Sequence, residues 1–200
     1  STSHLSYNMS TVNSTDSNNL WNGVGTGAFT IELWERYYCQ NNNAFLIRPN
    51  IEPYAVVTET TAWRHPFRWQ VYGDAPSSSA SILHKMYNSN VNANDNTNVK
   101  HDIPGAPSSG SGWSDWCHIV FSRGSNATND SKLYLNNSLV ETDTYPQTLD
   151  YSVFTNFFLI GTHLITMNFR MGLFRIYRGK ALTSSEVTTN WNAQKSRFGH

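Results

Sequence analysis

Charged residues are scarce in this sequence, and neither sign of charge prevails. Lysine and arginine together number 14, as do aspartate and glutamate, so the formal net charge is zero and only 14% of the 200 residues are charged. A protein that binds nucleic acid or an anionic membrane through its electrostatic field needs a clear excess of positive charge. The composition therefore argues against nucleic acid as a partner.

The sequence also lacks long apolar runs and has few cysteines. Stretches such as "NFFLIG" are far shorter than the about 20 apolar residues of a membrane-spanning helix, and no leader-like segment opens the chain, so we expect no membrane insertion. Cys39 and Cys117 could form one disulfide if their strands are neighbours, but two buried thiols are the preferred interpretation for so sparse a set. Because the chain begins with Ser1, we expect it to be part of a larger polypeptide.

Uncharged polar residues are abundant, since asparagine, serine and threonine make up roughly a third of the chain. Such a surface suits neutral hydrogen bonds, including those to carbohydrate hydroxyls. A soluble β-sheet surface rich in asparagine explains the same composition without any ligand.

Short segments of alternating polarity recur along the chain and are separated by clusters of glycine, proline, asparagine and serine. This pattern is typical of β-strands joined by turns. In "SKLYLNNSLVET", Asn136 and Asn137 tolerate left-handed backbone conformations and predict a hairpin. Near the end, Thr183 and Glu186 form a capping-box pattern that predicts one helix, which Trp191 would help to hold against the sheets. The sequence therefore predicts an all-β sandwich or jelly roll.

Several blocks, taken in order, carry a family resemblance. They are "SHLSY", "GTGAFTIELW", "WCHIVFSRG", "KLYLNNSLV", "FLIGTH" and "FRMGLFRIYRGKALTSSEVTTNWNAQKSRFG". Together they resemble the laminin-G-like branch of the concanavalin-A-like lectin/glucanase superfamily. The resemblance implies that residues 1–200 form a single domain, a concanavalin-A-like jelly-roll sandwich of two antiparallel sheets with one short C-terminal helix.

The block "GTGAFTIELW" combined with the terminal "ALTSSEVTTNWNAQKSRFG" is similar to lectin-like domains of virus and bacteriophage virion proteins. That narrower resemblance implies a location on a virion surface or outside the cell, with other virion subunits as partners. Members of the superfamily include adhesion modules, sugar binders, capsid decorations and domains attached to enzymes, so the fold by itself does not give the function.

Glu32 and Glu35 flank a tryptophan in one predicted strand and raise the question of catalysis. Retaining glycosidases need two carboxyl groups about 5–5.5 Å apart, whereas residues three apart in a strand point to opposite faces of the sheet. Only a β-bulge could bring these two together. We therefore expect no catalytic residues and no enzyme activity, with Glu32 either facing solvent or pairing with an arginine of the "FRIYRG" strand.

Loops that combine aromatic and amide or carboxylate side chains are the best candidates for contacts with sugar. The candidates are Trp63, Arg64, His65, Asn92, Asn94, Asp95, Trp113 and Asp115. The alternatives are that Trp113 and Trp116 belong to the core and that the asparagine and aspartate run forms ordinary solvated turns.

No cofactor is required by the sequence, but the resemblance implies calcium as a candidate ligand at the rim of the sandwich. Calcium takes about six to eight oxygen ligands, and no D-x-D-x-D run supplies them. Asp95 and Asp102 are the first candidates for such a site.

Two functions fit these observations. The first is a non-catalytic carbohydrate-binding or attachment module, with a glycan or glycoprotein as its partner. The alternative is a structural capsid decoration or assembly domain without sugar affinity, and a glycoside hydrolase or lyase comes third.

Overall fold

A computed structural model describes residues 5–7, 27–39, 44–49, 67–72, 81–87, 96–105, 112–125, 130–144, 158–160 and 169–200. Their side chains are described over residues 27–38, 102–105, 112–125, 130–142 and 170–200. Among the described residues, no helix is long and apolar enough to cross a membrane.

The described residues form twelve strands in two antiparallel sheets. The first sheet contains β1 (Leu5–Tyr7), β3 (Ala44–Pro49), β4 (Phe67–Tyr72), β5 (Ser81–Tyr87), β6 (Asn96–Asp102) and β11 (Phe158–Ile160), in the spatial order β1-β11-β3-β4-β5-β6.

The second sheet carries the candidate site. It contains β2 (Phe29–Cys39), β8 (Cys117–Arg123), β9 (Asp130–Leu135), β10 (Ser138–Thr144) and β12 (Phe169–Arg178), in the order β10-β9-β8-β2-β12. The short strand β7 (Gly112–Trp113) pairs with the end of β2. Strand β10 lies beside β6 of the first sheet.

Strand β8 is central, as its apolar pattern on both faces predicts. It lies between β9 and β2, and all seven of its residues are buried. Its Cys117 is buried, with the sulfur 3.5 Å from the carbonyl oxygen of Asp115. The side chain of Cys39 lies outside the described side chains.

The predicted hairpin joins β9 and β10. Asn136 and Asn137 have positive φ angles of 48° and 69°, the conformation that a tight two-residue turn between antiparallel strands requires. Leu133 and Leu135 share one face of β9 and are both buried, as the alternation predicts.

The helix α1 (Ser184–Gln194) and a following 3₁₀ helix (Lys195–Phe198) pack against one face of the second sheet. The N-cap is Thr183, and its capping box with Glu186 is present as predicted. Val187 is fully buried in a cluster with Val120 and Tyr134 of the sheet. The all-β sandwich of two antiparallel sheets with one short C-terminal helix is thus confirmed.

Candidate functional site

The strands on both sides of β2 pair with it irregularly near residues 34–37. On one side, β2 residues 36 and 37 face three residues, 114–116, because β7 and β8 are separated there. On the other side, the register of β12 shifts at Gly172, between Met171 and Leu173. Bulges of this kind redirect side chains and are common next to binding sites. Arg36 therefore lies within the irregular stretch on the β7–β8 side and close to the bulge on the β12 side, where it pairs regularly with Arg170.

Two arginines and three aromatic side chains meet at this point. The guanidinium carbons of Arg36 and Arg170 lie 5.0 Å and 4.8 Å from the ring centroid of Trp113. Tyr38 meets Trp113 edge to face, with the centroids 5.4 Å apart, and Arg36 also lies 5.3 Å from the ring of Trp116. Arg170 is exposed and the other four side chains are half-buried. We name Arg36, Tyr38, Trp113, Asp115, Trp116 and Arg170 the Trp113 surface.

The backbone around Ser114 fixes the start of this segment. The buried Ser114 hydroxyl accepts a hydrogen bond from the backbone N–H of Tyr37 at 3.0 Å and donates one to the Asp115 carbonyl at 2.8 Å. The Asp115 N–H donates to the carbonyl of Pro104 at 3.1 Å, and its carboxyl group lies against Gly105, where a Cβ atom would come within 2.4 Å of it. The exposed Asp115 carboxylate is therefore held beside the turn that follows β6.

An aromatic cluster supports the Trp113 surface from the interior. Trp34 is fully buried and stacks on Phe198, Trp191 and His118, with centroid distances of 4.3 Å, 5.2 Å and 4.9 Å. Phe198 in turn packs against Trp116, with the centroids 5.0 Å apart. The C-terminal segment thus contributes to the base of the site.

Glu32 lies at the other end of this cluster and is fully buried. Its Oε1 lies 2.9 Å from His118 Nε2, while its Oε2 accepts hydrogen bonds from Tyr177 at 2.7 Å, Asn190 at 3.1 Å and Arg175 at 3.5 Å. Burial acts to raise the pKa of Glu32, but the bonds from His118 and Tyr177 and the charges of His118 and Arg175 outweigh it and lower that pKa. The predicted pairing with an arginine is confirmed, and the solvent-facing alternative is wrong because α1 covers this face.

Glu35 has a different environment. It is fully buried, the Tyr37 hydroxyl donates a hydrogen bond to its Oε1, and its Oε2 has no hydrogen-bond partner among the described residues. Burial raises the pKa of Glu35 well above its usual value. Because β2 is regular between the two glutamates, they point to opposite faces, as predicted, and do not form a facing carboxylate pair.

Two of the predicted site residues lie in one described segment. Trp113 and Asp115 are two residues apart in the chain, and Trp113 and Trp116 are half-buried rather than part of the core. Asp102 is exposed at the end of β6, just before the turn that contacts Asp115. The remaining candidates, Trp63, Arg64, His65, Asn92, Asn94 and Asp95, lie outside the described residues.

The calcium prediction named Asp95 and Asp102. Within the part of the chain that the structure describes, no three side chains of histidine, cysteine, aspartate or glutamate are grouped so that they could hold a metal ion. Calcium at Asp102 with ligands from Asp95 remains a prediction, because Asp95 is not among the described residues.

Sequence reasoning missed Arg36, Arg170 and Tyr38. Each stands in an alternating strand pattern that gives no sign of a site. The signal that identifies them is the register of β2, which places Arg36 opposite Arg170 and Tyr38 opposite Trp113.

No family model matches the sequence, and no curated protein matches it significantly. Solved structures do share its fold. The receptor-binding domain of a botulinum neurotoxin C/D mosaic serotype has a TM-score of 0.63 at 12% identity, and the alignment covers 96% of this chain and 40% of that one. The binding domain of botulinum neurotoxin serotype D has a TM-score of 0.62 at 12% identity, with 97% and 41% covered.

A third similar structure comes from work entitled "Cell entry of botulinum neurotoxin type C is dependent upon interaction with two ganglioside molecules". Its TM-score is 0.62 at 11% identity, and the alignment covers 89% of this chain and 38% of that one. The chain thus spans about two fifths of each of these structures. At such low identity the likeness concerns the fold: this chain has the β-sandwich fold found in part of these binding domains.

Proposed function

We propose that this chain is a non-catalytic carbohydrate-binding module and that the Trp113 surface binds the sugar. The observation that carries the proposal is the cluster itself: half-buried indole and phenol rings lie next to the exposed guanidinium of Arg170, and the exposed carboxylate of Asp115 follows Trp113 by two residues in the chain. Aromatic surface suits the C–H groups of a sugar, while guanidinium and carboxylate groups bind its hydroxyls. The irregular pairing of β2 with its neighbouring strands and the buried aromatic cluster hold these groups in place.

The two glutamates of β2 support a role without catalysis. Glu32 is enclosed by four hydrogen-bonding side chains under α1, and Glu35 is buried on the other face. Neither carboxylate is accessible to a substrate in the described structure. A glycosidase mechanism that uses this pair has no geometric support.

The similar structures are consistent with a binding role. They include a toxin binding domain in complex with rat synaptotagmin II and a structure from work on ganglioside interaction. Because the fold alone is shared, sugar binding by this chain is a proposal. The proposed setting, a virion surface or the outside of a cell, is supported by the sequence resemblance to virion proteins.

A glycan-array screen of the purified domain tests this function. We expect specific binding that Trp113→Ala abolishes and Asp115→Asn weakens, because the first removes the central ring and the second removes one charge from an exposed carboxylate. Leu139→Ala is the matched control: Leu139 is 49% exposed in β10, so this change removes an exposed apolar side chain from another part of the second sheet.

The screen is run with calcium and again with a chelator, with folding of each variant checked by circular dichroism. Binding that is lost equally in Trp113→Ala and Leu139→Ala, or in neither, contradicts the Trp113 surface as the site. An array without any hit from the folded domain contradicts sugar binding. Self-association of the same sample in sedimentation would then favour the assembly role.

A further inference from the structure

Arg36 and Arg170 are an unusual pair because like charges stand directly opposite each other. They are register partners in β2 and β12, and residues directly opposite in an antiparallel pair extend from the same face. Both guanidinium groups lie near the same indole ring, at 5.0 Å and 4.8 Å from the centroid of Trp113. Like charges in this arrangement destabilise a sheet.

No carboxylate among the described residues compensates this pair. The ion pairs in the described part of the chain involve His118, Lys132, Arg175 and Lys180, and Glu32 and Glu186 are among their acceptors. The Nε atom of Arg36 is buried and has no hydrogen-bond partner there. Asp115, the exposed acid of the Trp113 surface, makes no ion pair with either arginine within the described ranges.

We propose that Arg36 and Arg170 together bind the anionic group, a carboxylate or a sulfate, of an acidic sugar. This inference rests on the proposed function and specifies its ligand class. A guanidinium group presents its N–H donors in a planar fork that matches the paired oxygens of both anions. A bound anion would also offset the repulsion between the two arginines. The ligand would then supply the negative charge that no described carboxylate provides.

The aromatic rings give this site its geometry. The guanidinium carbon of Arg36 lies 5.0 Å and 5.3 Å from the ring centroids of Trp113 and Trp116, and cation–π contacts of this kind restrict the guanidinium group. Fewer side-chain conformations are then lost when the ligand binds. Arg170 is exposed and is the part of the pair that a ligand can reach directly.

The net charge of the chain indicates how the site would act. With 14 basic and 14 acidic residues, the protein has no overall positive field to attract polyanions. Selectivity for an acidic sugar must therefore come from the two arginines at short range. The affinity for the acidic sugar should depend only modestly on ionic strength, as expected for one local anion contact rather than a long charged surface.

Calorimetric titration with three sugars that share a neutral core tests the inference. The probes are lactose, 3′-sialyllactose and 3′-sulfolactose. We expect at least one acidic sugar to bind about tenfold or more tightly than lactose, and the two acidic probes distinguish a carboxylate from a sulfate ligand. Arg170→Gln should reduce this preference to within about twofold, because it weakens binding of the acidic sugar far more than binding of lactose.

Two further variants complete the test. Arg36→Lys keeps the charge but loses the planar fork, so the preference for the acidic sugar should fall. Arg178→Gln is the matched control, because Arg178 is also exposed and lies on β12 but at the other end of the strand. The preference should be unchanged in this variant.

Thermal unfolding without ligand gives an independent readout. Arg170→Gln should unfold at the same temperature as the native chain or higher, since it removes a like-charge contact. A clear loss of stability would instead show that Arg170 has a structural role and would overturn the inference.

The outcomes for the two proposals are distinguishable. Equal affinity for lactose and both acidic sugars, with Trp113→Ala inactive, would overturn the acidic-sugar inference and leave the binding function intact. An unchanged preference in Arg170→Gln would also overturn it. Absence of binding to these probes and to the glycan array would contradict both proposals.

Discussion

Glu32 and His118 form a fully buried contact between β2 and β8, with Glu32 Oε1 2.9 Å from His118 Nε2. The second carboxylate oxygen accepts hydrogen bonds from Tyr177 of β12 and Asn190 of α1. One carboxylate therefore connects three strands and the C-terminal helix. Because its oxygens are occupied by these donors, its role in the described structure is to hold the helix on the sheet.

Glu32→Gln is expected to destabilise the fold. The change removes a charge from a buried network and leaves the Arg175 guanidinium without its counterion, so the free energy of unfolding should fall by about 2 to 4 kcal/mol. Urea denaturation at pH 7 measures this. Glu141→Gln, on the exposed part of β10, is the control and should change the stability little.

The effect of Glu32→Gln should also depend on pH. The folded-state pKa of Glu32 is lowered from 4.5, so its contribution to stability is fully present above about pH 4.5 and is lost as the pH falls through the folded-state pKa. The difference between native and variant unfolding free energies should accordingly shrink in acid. A difference that stays constant from pH 7 to acid would contradict this assignment.

Glu35→Gln should show the opposite dependence on pH. Burial raises the folded-state pKa of Glu35 well above 4.5, so the folded protein holds this proton more tightly than the unfolded chain. Stability of the native chain should therefore decrease as the pH rises above about 4.5, and the uncharged glutamine should remove that decrease. Denaturation of both proteins at several pH values above 4.5 measures the effect, and parallel curves would contradict it.

Some elements were predictable because their information is local. Thr183 and Glu186 lie three residues apart, and the capping box they form depends only on that spacing. Asn136 and Asn137 specify the hairpin turn through their own backbone preferences. Strand β8 likewise has apolar residues on both faces, and this pattern by itself indicates a central strand.

The site was less predictable because it depends on strand order. Trp113 and Asp115 could be chosen from their residue types, but the meeting of Arg36 with Arg170 requires that β12 pair with β2 in one register. The burial of Glu32 depends on which face α1 covers, and the alternation within β2 carries no information about that. Contacts between distant segments are set by packing, which a local pattern does not contain.

Thr183→Ala tests the helix cap. The Thr183 hydroxyl accepts a hydrogen bond from the Glu186 N–H, and loss of such a cap typically costs about 1 kcal/mol of unfolding free energy. Thr189→Ala is a matched control in the same helix, since Thr189 is exposed and its hydroxyl donates a hydrogen bond to the carbonyl of Ser185. Thermal denaturation measures both variants. Equal losses of stability would show that the cap hydrogen bond does not stabilise the helix more than the Thr189 hydrogen bond does.

Gly172→Ala tests whether the bulge of β12 needs a glycine so that the C-terminal 3₁₀ helix can pack against it. A Cβ atom at Gly172 would lie 2.3 Å and 2.6 Å from two ring carbons of Phe198. That ring stacks on Trp34 and packs against Trp116 at an interplanar angle of 51°. The 3₁₀ helix must then move, so we expect a loss of about 1 to 3 kcal/mol in unfolding free energy. Amide hydrogen exchange should become faster over residues 195–198 and stay unchanged in the β9–β10 hairpin.

A double-mutant cycle with Phe198→Leu separates this clash from a general backbone effect of alanine at Gly172. The smaller leucine leaves room for the added methyl group, so Gly172→Ala should cost less in the Phe198→Leu background than in the native chain. Additive costs would mean that Phe198 is not the residue displaced. Because Phe198 also packs against Trp116 of the Trp113 surface, a coupled result would link the bulge in β12 to the support of the proposed sugar site.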